Sequence, residues 1–195
     1  VSWCGFSNKF MFNVTCKIRK MIKAGVNVTL GTDSSATGSA NLLAEMKFDR
    51  DLYRNMYGSE LPPKLMFEMA TINAARAFWI DKKLGSLDTG KLADILVLKG
   101  RHSNPYENLV SAEMRDIELL TLAGKPLYGE MRFLDLLGGE VPPGYTVIKV
   151  GERSMFVIGD PARLYSEARE KIGFKKILDF LPFEPDGGTG TAPRR

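Results

Sequence analysis

An α/β fold is predicted by two rhythms along the 195 residues. Up to about residue 80, apolar side chains recur at helical spacing and frame one short β-branched run ending in glycine. Beyond Lys83 the period becomes extended, with several short strands separated by turn residues.

Residues 14–24 form the first helical pattern, with Val14, Ile18, Met21 and Ile22 on one face and Gly25 at the C-cap. Val26-Asn-Val-Thr-Leu-Gly31 follows as a strand, and Thr32, Asp33 and Ser34 come next. Residues 41–56 read as a second helix carrying Leu42, Leu43, Met46, Leu52, Tyr53 and Met56. Pro62-Pro63 opens a third helix through Leu65, Met66 and Met69, and Thr71 is placed to cap a fourth over residues 73–78. Residues 93–98 and 117–124 read as strands, with Lys125-Pro126 as a turn leading to Tyr128. Residues 145–150 and 155–158 flank Gly151-Glu-Arg-Ser154 as a hairpin, and Asp160-Pro161 begins a last helix. The glycine-rich segment 186–195 is expected to be a disordered tail.

Composition narrows the classes further. With 44% apolar and 26% charged residues, the chain is an ordinary globular sequence, and no run approaches the ~18 apolar residues of a membrane span. Cys4 and Cys16, without a CxxC pair, read as buried thiols in a reducing cytoplasm. The net charge of +4 is concentrated early: Lys9, Lys17, Arg19, Lys20 and Lys23 stand in residues 1–32 with no acid among them. Most of these lie opposite the apolar face of the first helix, so a solvated face is favoured over nucleic-acid binding.

Asp33 is the leading chemical candidate, because a carboxylate just past a buried strand sits where α/β barrels place catalytic groups. Spacing alone leaves open that it merely caps the following segment. Gly85-Ser-Leu-Asp-Thr-Gly90-Lys91 matches seven positions of a P-loop, but Leu92 supplies no hydroxyl and a strand follows where a helix is needed. His102, the one histidine, reads as a surface-loop residue; neither HExxH nor the zinc signature of cytidine deaminases occurs.

Four segments resemble the amidohydrolase superfamily, in order, over roughly residues 3–128. Cys4-Gly-Phe-Ser7-Asn8 resembles the CP-x-SN stretch on strand seven of its barrel, and Gly25-Val-Asn-Val-Thr-Leu-Gly-Thr-Asp33-Ser34 its strand eight. Glu68-Met-Ala-Thr-Ile-Asn-Ala-Ala-Arg-Ala77 is similar to the ATxNGAR helix. The run from Leu84 through Gly90-Lys91 to Leu98 is similar to the GSLexGKxADLVVLD turn and strand. The branch resembled holds cytosine, guanine and S-adenosylhomocysteine deaminases, triazine hydrolases and imidazolonepropionase. Gly5, Ser34 and Ala74 depart from the residues usual there, which leaves the subfamily open.

The resemblance implies the C-terminal portion of a metal-dependent hydrolase (β/α)8 barrel and the C-terminal part of its small β-sandwich. The expected division is barrel strands and helices over 1–82, sandwich over 83–135, and an appended hairpin and helix over 136–185. It implies hydrolysis of non-peptide carbon–nitrogen bonds, of deaminase or cyclic amidase type, by metal-activated water. Asp33 would be metal ligand and proton shuttle, and Ser7, Asn8 and Ser34 would contact substrate. The divalent metal would be zinc or iron, held in the complete protein and not by this chain alone, because the family's other ligands are histidines from earlier strands. The chain is therefore expected to be an amidohydrolase fragment acting on a small molecule, without nucleic-acid or membrane partners. It would self-associate or bind the missing N-terminal part. A non-catalytic remnant serving as an interaction or oligomerisation module is the alternative.

Overall fold

Ser2–Trp3 (β1) and Thr29–Leu30 (β2) run parallel, Ser2 opposite Thr29 and Trp3 opposite Leu30. The crossover between them contains Gly5–Phe12 (α1) and Ile18–Lys23 (α2). The computed structural model describes residues 1–174, 178 and 181–183 and divides into two units, 1–92 with 100–113 and 93–99 with 114 onward. The tail expected over 186–195 lies outside the described residues.

The first unit adds Leu42–Tyr57 (α3), Pro63–Ala70 (α4), Ile72–Ala77 (α5) and Pro105–Ser111 (α6). Local chemistry fixes their ends. Asn41 Oδ1 accepts from the Ala44 amide at 3.0 Å and Gly58 closes α3 in the left-handed conformation. Asn104 caps α6 by accepting from the Tyr106 and Glu107 amides, with Pro105 at the first helical position. Trp3, Ile18, Leu30, Met46, Leu61, Met66, Met69 and Val110 form the core between strands and helices. Arg50 ties α3 to α6 through Glu107 and to the following loop through Glu60.

The second unit is one antiparallel sheet of Leu96–Leu98 (β3), Ile117–Leu122 (β4), Lys125–Glu130 (β5), Tyr145–Val150 (β6) and Arg153–Ile158 (β7), ordered β3-β4-β5-β7-β6. Pro161–Ile172 (α7) follows, capped by Asp160 accepting from the Arg163 amide. Phe156 is fully buried and packs over Gly129, where an added Cβ would lie 2.6 Å from its ring. The hairpin β6–β7 is continuous with the sheet that includes β3–β5.

Several expectations need correction. The Cys4–Asn8 segment is not a strand: β1 ends at Trp3 and this segment begins α1, a helix the sequence reading lacked. The next helix starts at Ile18 rather than residue 14, because Asn13 ends α1 in the left-handed conformation and Thr15 is drawn into a hydrogen bond from Trp3 Nε1. Lys125-Pro126 begins β5, and the turn is Ala123-Gly124, both with positive φ as a tight hairpin requires. Thr71 precedes α5 but does not cap it; its hydroxyl donates back to the Phe67 carbonyl. Residues 105–111, to which the sequence reading assigned no element, are α6. Both cysteines are free, as expected, yet half-buried rather than buried.

Candidate active site

Asp33 follows β2 by three residues and holds φ at +60°, a left-handed conformation that few non-glycine residues adopt. The approach is tight. The Gly31 amide donates to the Trp3 carbonyl at 2.9 Å, and a Cβ on Gly31 would press on Ser2 Oγ and Cys4 Sγ. Beyond Asp33 the chain closes at once: the Gly38 amide donates to the Ser34 carbonyl at 2.8 Å, and a Cβ at Gly38 would collide with the Thr32 carbonyl oxygen. At Gly38 backbone occupies the Cβ direction, so glycine is needed there, whereas the atoms facing Gly31 belong to side chains.

The carboxylate is held from the neighbouring helix. Ser7 is fully buried on α1 and its hydroxyl donates to Asp33 Oδ2 at 2.5 Å, with Thr37 Oγ1 3.4 Å away. Thr37 Oγ1 and Ser34 Oγ share a further hydrogen bond of 2.9 Å. Asp33 itself is exposed, so one oxygen is fixed while the group still faces solvent. The structure thus brings Asp33, Ser7 and Ser34 together and adds Thr37, which sequence reasoning missed; its signal was a hydroxyl four residues past the aspartate. Asn8 is engaged elsewhere: its Oδ1 accepts from Thr15, whose hydroxyl accepts from Trp3 Nε1.

Two more acidic groups were missed. Glu45 and Asp49, one turn apart on α3, are fully buried beneath the first turn of α1. Glu45 Oε1 accepts from the Phe6 amide at 3.1 Å, whereas Glu45 Oε2 and both Asp49 oxygens have no hydrogen-bond partner. Burial above all, then the charge of Glu45, pushes the Asp49 carboxyl up to about 9, against a smaller opposing pull from the Gly5 backbone. Burial likewise raises the Cys4 thiol; the Ser2 hydroxyl opposes this, and the charges of Asp33 and Glu45 add to it. A period-of-seven stripe of Glu45, Asp49 and Leu52 was the available signal.

The P-loop match is a turn whose polar groups satisfy one another: Lys91 Nζ reaches Ser86 Oγ at 2.5 Å and lies 3.3 Å from Asp88 Oδ2. His102 is exposed, with its amide on Asn108 Oδ1. Among the described residues no three His, Cys, Asp or Glu side chains are grouped to hold a metal ion. The donor set fits a single carboxylate share of a metal centre, namely Asp33, and not a centre by itself.

The amidohydrolase family profile matches residues 1–127. The chain belongs to the amidohydrolase family. It is 33% identical over 129 residues to the 5-methylthioadenosine/S-adenosylhomocysteine deaminase of Thermoanaerobacter pseudethanolicus, a match covering 61% of this chain and 30% of that protein. It is 35% identical over 100 residues to the S-triazine hydrolase of Gordonia rubripertincta, covering 50% of this chain and 21% of the relative. The adenosine deaminase of Xanthomonas campestris, solved with bound zinc, superposes with a TM-score of 0.59 at 24% identity, over 65% of this chain and 31% of that one. This amidohydrolase chain therefore spans about a third or less of the length of these relatives. No helix among its described residues is long and apolar enough to cross a membrane.

Proposed function

We propose that this chain carries the Asp33 part of a metal-dependent amidohydrolase site whose remaining ligands lie outside residues 1–195. The parallel pair β1–β2 would be the last two strands of the barrel and β3–β5 part of the accompanying sandwich. The carrying observation is Asp33 itself: an exposed carboxylate just past a parallel strand, in a left-handed conformation, with Oδ2 fixed by the buried Ser7 hydroxyl. Residues held in rare conformations by surrounding structure cluster at functional sites.

The reaction we infer is hydrolysis of a carbon–nitrogen bond in an amino-substituted heterocycle, the class named for the deaminase relatives. A divalent metal, when bound, lowers the pKa of its water toward neutrality. Asp33 would accept a proton from the attacking water as the oxygen of that water bonds to the ring carbon. The same carboxylate then delivers that proton to the departing nitrogen, so one water is consumed, ammonia leaves and Asp33 returns to its starting state. Ser7 keeps Oδ2 in place during both transfers, while Ser34 and Thr37 line the approach.

Exposed apolar side chains support association with the rest of a barrel. Phe10, Phe12 and Val14 around the end of α1 are each about two-thirds exposed, and Trp79 is 91% exposed. Zinc content and ammonia release from 5-methylthioadenosine test the reading on residues 1–195 alone. Neither stoichiometric zinc nor turnover is expected; finding both would overturn it.

A further inference from the structure

The contact between α1 and α3 contains a buried acidic pair with unmet hydrogen-bonding needs. Glu45 and Asp49 are both fully buried, yet three of their four carboxylate oxygens have no partner. An ionised carboxylate is an acceptor only, so two such groups cannot satisfy one another without a proton. Two adjacent unpaired buried charges would cost far more than one, and such pairs relieve the cost by binding a proton. The two members are not equivalent. Glu45 accepts from the Phe6 amide in the first turn of α1, where the helix terminus favours negative charge. Asp49 has no hydrogen bond meeting ordinary geometry, and it fills the space that a side chain at Gly5 would occupy.

We propose that Asp49 carries a proton at neutral pH, and that the buried Glu45–Asp49 pair then holds the Gly5–Ser7 turn of α1, making Glu45 and Asp49 positioning residues for Asp33. The route is short and made of named contacts. Glu45 fixes the Phe6 amide, the next residue is Ser7, and the Ser7 hydroxyl fixes Asp33 Oδ2. Ionising Asp49 would place a second charge beneath the same turn and push it away from α3.

The charged groups on the surrounding elements leave the pair uncompensated. On α1, the Lys9 ammonium is exposed and bonded to Asn13. On α6, Glu107 is paired with Arg50. The strand β2 carries no titratable side chain. Cys4, at the start of α1, has a thiol whose loss of a proton is opposed by burial and by the charges of Asp33 and Glu45. The carboxyl of Asp33 is engaged by Ser7.

The test is infrared and carbon-detected NMR spectroscopy of the side-chain carboxyls in metal-free chain, with the Phe6 amide and Asp33 carboxyl as reporters. At pH 7 the wild type is expected to show one protonated carboxyl signal that Asp49→Asn removes. Raising the pH through about 9 should abolish that signal and shift both reporters together; in Asp49→Asn the reporters should stay still over the same range. Should Asp49→Asn not fold, Glu45→Gln removes the neighbouring charge, and the protonated signal should then disappear at lower pH than in the wild type. Absence of a protonated carboxyl at pH 7, a signal indifferent to Asp49→Asn, reporters that ignore its loss, or an unmoved transition in Glu45→Gln would each overturn the proposal. None of these readouts uses metal or turnover, so failure here is distinct from failure of the Asp33 assignment.

Discussion

Ser7 and Asp33, 26 residues apart in sequence, are joined by a 2.5 Å hydrogen bond from a fully buried hydroxyl to Oδ2 of an exposed carboxylate. That bond connects the two halves of the crossover unit, since Ser7 belongs to α1 and Asp33 follows β2. It also makes the carboxylate's orientation depend on a residue that does not face solvent.

Ser7→Ala is therefore expected to weaken the site without unfolding the chain. Partners that orient a ligating or proton-transferring group typically contribute about 10- to 100-fold in metal affinity or activity. In the full-length protein, kcat or zinc affinity should fall by roughly that factor while circular dichroism is unchanged. An unaltered rate and affinity would remove Ser7 from the machinery.

Gly38→Ala should open the turn that follows Asp33. The new Cβ would collide with the Thr32 carbonyl oxygen, a backbone atom that cannot step aside as a side chain can. Overpacking of this kind costs about 1–3 kcal/mol. Gly100→Ala is the matched control, since nothing lies within 4 Å of its added Cβ. Urea midpoints of the two variants, compared with the parent chain, decide the matter.

Stability should depend on pH through Asp49. Its folded carboxyl is pushed from 3.8 up to about 9, chiefly by burial, so between those values the folded chain holds a proton that the unfolded chain releases. Its contribution is complete below about pH 4 and is lost as pH rises through about 9, by up to about 1.4 kcal/mol per pH unit. Asp49→Asn should flatten this slope and be more stable than the parent at pH 8, with the advantage shrinking as pH falls. Parallel denaturation curves at pH 5, 6.5 and 8 would contradict this.

The sheet of the second unit should depend most on Phe156. The ring is fully buried against Gly129, with an edge contact to Tyr145 at 6.4 Å between centroids. Phe156→Ala is expected to cost about 3–5 kcal/mol, read from chemical denaturation. A loss below about 1 kcal/mol would mean that the sheet is held together elsewhere.

What the sequence made legible follows from where its signals are local. Asn41, Pro62-Pro63 and Asp160-Pro161 mark helix starts by their own backbone chemistry, and the helices begin there. The strand before Asp33 was legible from its glycine-bounded, β-branched run, although only Thr29–Leu30 pairs. By contrast, α1 has no side-chain cap, and its apolar residues do not form one stripe, so neither its start nor its face could be read. Pro126 pointed to a turn because proline rarely sits inside a strand; the register shift between Leu120 and Thr121 lets β5 accept it. Asp33 was visible as a candidate, but its left-handed backbone and its hold by Ser7 depend on contacts between distant segments. Glu45 and Asp49 are buried only because α1, an element with no local sequence signal, covers them.

The central claim is that Asp33 moves the proton in hydrolysis, and Asp33→Asn in the full-length protein tests it most directly. Ammonia release from 5-methylthioadenosine or S-adenosylhomocysteine is the readout, with circular dichroism and zinc content measured on the same samples. The account predicts a loss of about 10²- to 10⁴-fold in kcat with the fold retained. Turnover of Asp33→Asn at the rate of the unaltered protein would contradict it.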